Sequence, residues 1–117
     1  MNTLSPSVEQ HFEDRSPAVR QIYDRLLAAA ASFGPYEEDP KKTSIHLNRK
    51  TAFAGVATRK DHLILTLKSD HDIESSRVSK HEQASAHRWH LEVKLKGPEE
   101  VDSEIVGWLR DGYELSR

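Results

Sequence analysis

The stretch from Arg88 to Lys96 limits the fold more than any other part of this chain. Trp89, Leu91, Val93 and Leu95 alternate with Arg88, His90, Glu92, Lys94 and Lys96. A period of two sends the two sets to opposite faces of a strand, so one face must be covered and the other can meet water. Leu63, Leu65 and Leu67 repeat the pattern against His62, Ile64, Thr66 and Lys68. Ile45 and Leu47 alternate with Ser44, His46 and Asn48, and Ala52 to Thr58 reads as a small-residue strand around Phe53 and Val56. The turns Asn48-Arg49-Lys50 and Arg59-Lys60-Asp61 are short, and strands joined so tightly pair antiparallel.

The cover for such a sheet is present at both ends of the sequence. Ser16 stands as an N-cap with Pro17 at the first helical position, where its missing N–H costs nothing. Val19, Ile22, Tyr23, Leu26, Leu27, Ala30 and Phe33 then form one apolar stripe, and Gly34-Pro35 ends it, which predicts a helix over 17–33. Leu4, Val8 and Phe12 suggest a short leading helix opened by Ser5-Pro6 or Ser7. Pro98-Glu99-Glu100 opens a closing helix with the stripe Val101, Ile105, Trp108, Leu109 and Tyr113. Trp89 and Trp108 lie on apolar stripes and are expected in the core, whereas Tyr113 is expected to be partly exposed. Glu37-Glu38-Asp39-Pro40 reads as an acidic loop. Ser69 to Ala86, poor in large aliphatics, reads as a long functional or mobile loop.

The predicted fold is a two-layer α+β domain spanning 1–117, with N-terminal helices, an antiparallel sheet of about four strands and a C-terminal helix. All helices cover one sheet face. A chain of 117 residues suits a single domain. It has no apolar run near the ~20 residues of a membrane helix, and no Cys for disulfides, thiol catalysis or Cys-based metal sites. A cytoplasmic protein without membrane contact is expected.

Charge is segregated along the chain. The formal net charge of -2 conceals balances of -4 over residues 1–40, +6 over 41–96 and -4 over 97–117, and the middle block holds six of the seven His. On the predicted fold that block becomes an open sheet face and loop carrying Lys42, His46, Lys68, Lys80, Glu82, Gln83, Arg88 and His90. Such a face could hold an anionic ligand or an anionic protein partner; the plainer alternative is an ordinary solvated sheet surface. A near-neutral net charge and the lack of Phe, Tyr or Trp on the open face disfavour nucleic acid.

Chemistry-bearing motifs are few. The chain has no G-x-S-x-G, Walker A, G-x-G-x-x-G or H-E-x-x-H pattern. His87 and His90 fall on opposite strand faces, and His71, His81 and His90 would need Asp70, Asp72, Glu74 or Glu82 to complete a metal site, so neither metal nor cofactor is expected. No catalytic residue is assigned. The most enzyme-like group is Lys80, Glu82 and His90, an acid–base set that would need a perturbing neighbour.

The chain resembles the family catalogued as domain of unknown function 5655. The resembling segments are Val8-Glu9-Gln10-His11-Phe12, Ser16 to Leu26, Lys42 to Leu47, Ala52 to Val56, Arg77-Val78-Ser79-Lys80, Glu82-Gln83, Arg88 to Lys94 and Ser103 to Leu109. The resemblance implies a small bacterial domain with a leading helix pair, an antiparallel sheet and a closing helix, and it implies no established activity. His81 and His87 depart from the family pattern. The residues and the resemblance together favour a non-enzymatic binding or accessory module. The alternatives are a small enzyme using Lys80, Glu82 and His90, and a self-associating structural domain; monomer and homodimer both fit.

Overall fold

A computed structural model describes residues 6–117. Leu4 and Ser5, placed at the head of the expected leading helix, lie outside the described residues. The remainder of that helix is reduced to a single 3₁₀ turn at Glu9–Phe12, closed by reciprocal bonds between Ser7 and Gln10.

The first long element is helix α1, Pro17–Phe33, with Pro17 opening it and Val19, Ile22, Tyr23, Leu26 and Ala30 buried along one side. Ser16 occupies the cap position with its backbone, its carbonyl accepting from the Val19 N–H, while its side chain makes no cap bond. The next six elements are strands: β1 (Glu37–Pro40), β2 (Ile45–Asn48), β3 (Ala52–Thr58), β4 (Leu63–Ser69), β5 (Val78–Ser85) and β6 (Arg88–Leu95). Helix α2, Ser103–Leu115, closes the chain. Its N-cap is Asp102, whose carboxylate accepts from the Ile105 N–H at 3.1 Å, and Pro98–Glu100 forms a separate 3₁₀ turn before it. The closing helix therefore starts five residues later than Pro98 suggests.

The sheet is antiparallel throughout, in the order β1-β2-β3-β4-β6-β5. It has six strands where about four were expected. Both additions are edges. β1 was expected as an acidic loop, and it pairs only with β2. β5 was expected inside a long loop, and instead of closing over the sheet it pairs with β6 and widens it. An edge strand needs backbone partners on one side only, so it forms without the apolar alternation that marks a central strand.

Across the buried face, Ile45, Val56, Leu65, Val93 and Val78 stand in one transverse row, and Leu47, Ala54, Leu67 and Leu91 in the next. Both helices pack on this side, and one apolar core joins them to the sheet. A bulge between β2 and β3 leaves Phe53 unpaired, so Phe53 and Ala54 are both buried in succession. Phe53 meets the Tyr113 ring edge-on at 5.1 Å. Tyr113 is itself 1% exposed, with its hydroxyl donating to the Pro35 carbonyl at 2.8 Å, which corrects the expectation of a partly exposed ring. Trp89 and Trp108, expected in the core, pack against its margin and are half-buried. No helix among the described residues is long and apolar enough to cross a membrane.

Candidate functional site

Strand register alone assembles the site. The side chains of directly opposed residues share a face, so Asp39, His46, Gly55, Thr66, Glu92 and Lys80 form one row across all six strands of the open face. The adjacent row holds Lys68, His90 and Glu82. On β3 the open-face positions are Ala52, Gly55 and Ala57, which leave a trough between the taller side chains of β2 and of β4 and β6.

That trough is a recess of about 300 Å³. Gly55 and its alanine neighbours floor it; Ser44 and His46 stand on one side, Thr66, Lys68 and His90 on the other. A Cβ at Gly55 would lie 3.6 Å from the Thr66 Cβ, an ordinary contact. Neither packing nor backbone conformation therefore demands glycine there. The effect of Gly55 is to deepen the recess, as a glycine inside a strand does where something approaches the backbone closely.

Lys68 dominates the electrostatics. Its Nζ donates to Thr51 Oγ1 at 3.0 Å and to Ser116 Oγ at 2.8 Å, which spends two of three ammonium hydrogens at the C-terminal end of α2. Burial, and then the nearby Arg88 guanidinium, hold its pKa below the usual lysine value. Among the described residues neither Lys68 nor Arg88 has a carboxylate within ion-pair distance, and Arg88 donates only to the His87 carbonyl at 2.7 Å. Lys68 is thus the one lysine or arginine in the recess lining, with Arg88 beside it acting also on Asp70.

The other expected site residues divide. His46, Lys68 and His90 line the recess, and Arg88 stands beside it. Glu82 faces His90 across 3.6 Å, and Lys80 faces Glu92 across 3.9 Å, both pairs on the exposed rim. Gln83 opposes Trp89 and so belongs to the helix side of the sheet, away from the group it was expected to join. Lys42 sits exposed in the turn between β1 and β2, apart from the recess. Three residues that matter were not marked from sequence. Gly55 had a detectable signal, an isolated glycine in a strand. Thr51 and Ser116 had none, because only the fold brings them to Lys68.

The histidines form separate pairs: His62 with Asp61 at 2.9 Å, His71 with Asp70 at 2.7 Å and His81 with Asp72 at 2.6 Å. Among the described residues no group of three or more His, Asp or Glu is placed to hold a metal ion. The segregated charge is also partly spent. Arg77 reaches both carboxylate oxygens of Asp102 and Oε1 of Glu104 at 3.0 Å, and Lys41 pairs with Asp39 at 2.9 Å. Arg49 lies 4.2 Å from the centre of the Tyr113 ring and donates to its carbonyl. With Asp39, Glu82 and Glu92 also on the open face, the recess itself keeps Lys68 as the one lysine or arginine in its lining.

Comparison with known proteins gives a match to the family model described as Domain of unknown function (DUF5655), over residues 8–116. No curated protein matches, and no solved structure matches.

Proposed function

The chain belongs to this DUF5655 family, and for this member we propose a non-enzymatic binding or accessory role in which the open sheet face holds an anionic ligand. The observation that carries the proposal is the recess of about 300 Å³ into which Lys68, His46, His90 and Thr66 converge. Small-molecule sites are concave, mostly apolar and furnished with a few polar groups, and their volumes begin at about 300 Å³. Lys68 supplies a fixed cation with one free hydrogen; His90, Thr66 and His46 supply donors or acceptors around it. The ligand is small, so neither a nucleic-acid strand nor a membrane surface is required, and monomer and homodimer serve equally. A bacterial, cytoplasmic setting accords with the family resemblance and the cysteine-free composition.

An acid–base role for Lys80, Glu82 and His90 gains no support from their setting. Their side chains are 60%, 59% and 45% exposed, so all three stand in water on the rim rather than in an enclosed site.

The test is a chemical-shift titration of the ¹⁵N-labelled protein with acetate and with inorganic phosphate. Saturable shifts confined to the amides of Gly55, Thr66, Lys68 and His90 are expected, and Lys68→Met should abolish them. Uniform or absent shifts at millimolar anion would refute the reading.

A further inference from the structure

Resting on the anion-binding reading above, we infer that the ligand is a monoanion with one flat, uncharged ring, its carboxylate on Lys68 and its ring lying over Gly55. Three independent features of the recess converge on this class.

The first is charge. Lys68 is the one lysine or arginine in the lining; the row through Gly55 ends in Asp39 at one side and reaches Glu92 at the other, and Glu82 stands beyond His90. A second or third negative charge on a ligand would find no further lysine or arginine in the lining and would face these carboxylates. Polyphosphates and nucleic-acid backbones are therefore poorly matched. A single anionic head is well matched.

The second is valence. The ammonium of Lys68 has one hydrogen left after Thr51 and Ser116. One hydrogen suits one carboxylate oxygen. A phosphate dianion is better served by a bidentate guanidinium or a cluster of backbone N–H groups, and the lining contains no arginine.

The third is shape. The floor consists of Ala52, Gly55 and Ala57 on one strand, and no branched side chain rises from it. His46 on β2 and His90 on β6 bound it from strands three positions apart, a backbone separation of about 14 Å. Thr66 and Lys68 on β4 stand between these imidazoles, so the low floor is the strip along β3, about 10 Å from β2 to β4, on which a flat ring can lie. At about 30 Å³ per water-sized group, the recess holds roughly ten such groups, the size of a ring with a carboxylate.

The experiment extends the titration to benzoate, acetate, benzyl alcohol, inorganic phosphate and tripolyphosphate, each followed at the Gly55 and Thr66 amides. Benzoate should bind about tenfold more tightly than acetate, because ring burial adds apolar contact. Benzyl alcohol should bind less tightly than benzoate, and tripolyphosphate no more tightly than phosphate. Gly55→Val places two methyls on the recess floor where a Cβ has room. It should fold, retain acetate binding at Lys68 and lose the preference for benzoate. Equal affinities for benzoate and acetate, or a preference for tripolyphosphate, would overturn the ligand class while leaving an anion site standing. Failure of every anion to perturb these amides would overturn both.

Discussion

Gly34 shows how one residue can fix a junction. Its φ of +147° lies where side-chain-bearing residues rarely go, and a Cβ there would fall 2.5 Å from the Tyr113 hydroxyl. That hydroxyl donates to the Pro35 carbonyl, so the end of α1, the extended segment after it and α2 meet at one point. Gly34→Ala should strain the backbone and displace the hydroxyl, lowering stability by about 3 kcal/mol. Gly107 provides the contrast. Nothing lies within 4 Å of a Cβ built on it, so Gly107→Ala in α2 should raise stability by about 0.5–1 kcal/mol. Urea unfolding of both variants checks the pair, and similar shifts for both would contradict the account. The stop at Gly34-Pro35 is legible in the sequence as a helix end. The partner that makes glycine necessary is not, because Tyr113 lies far along the chain and its burial depends on Phe33 and Phe53 closing around it at 5.6 and 5.1 Å.

Elements with a buried face were readable, and elements without one were not. α1, β4 and β6 each carry an apolar period that burial enforces, and the structure buries most of those residues, leaving Leu27, Phe33 and Trp89 half-buried at the core margin. β5 is exposed from Ser79 to Ser85, and β1 contains no large aliphatic residue, so neither leaves a pattern. Each is held by backbone bonds to one neighbour, which composition does not encode. The start of α2 was missed for a related reason. Pro98-Glu99-Glu100 has the chemistry of a helix start, but the cap that is used is Asp102, selected by Arg77 reaching it from the segment before β5. The Arg77 guanidinium and the Ile105 N–H hold the Asp102 carboxyl below its ordinary value. A carboxyl lowered in the folded state adds stability above its unfolded value of 3.8, and that stability is lost as pH falls through the lower folded value. Asp102→Asn keeps a capping oxygen and removes the titration, so its Tm should decline less steeply in acid than the parent's. Asp102→Ala removes the cap as well and should lower Tm by about 5 °C near neutral pH. Thermal melts from about pH 2 to 7 distinguish the two variants; identical acid limbs for parent and Asn variant would exclude the linkage.

At the scale of the whole molecule, the charge blocks of the sequence do not become charged faces. The basic middle block was expected to gather on the open face with Glu82 among its residues, yet that face also receives Asp39 from β1, a strand that carried no pattern. The unforeseen edge strand β1 therefore changes both the sheet size and the charge of the open face. The helix side has its own carboxylate, Glu38, which accepts a hydrogen bond at 2.7 Å from the hydroxyl of the fully buried Tyr23. This contact ties edge strand β1 to α1. Burial first, and then the Glu38 carboxylate, raise the Tyr23 phenol far above its ordinary value of 10.0. An acid whose folded pKa is raised keeps its full contribution below the unfolded value, and the contribution is lost as pH rises from there toward the folded value. Above pH 10 the unfolded chain sheds a proton that the folded chain retains, so the parent loses stability from this group at about 1.4 kcal/mol per pH unit. Tyr23→Phe has no such proton. It should be less stable than the parent at pH 8, where Glu38 loses its donor, and the gap should close at that rate above pH 10. Urea unfolding of both proteins at successive pH values measures the gap directly. A gap that stays constant from pH 8 to 11 would mean that Tyr23 ionises as freely in the fold as outside it, and that β1 is not anchored to α1 through this bond.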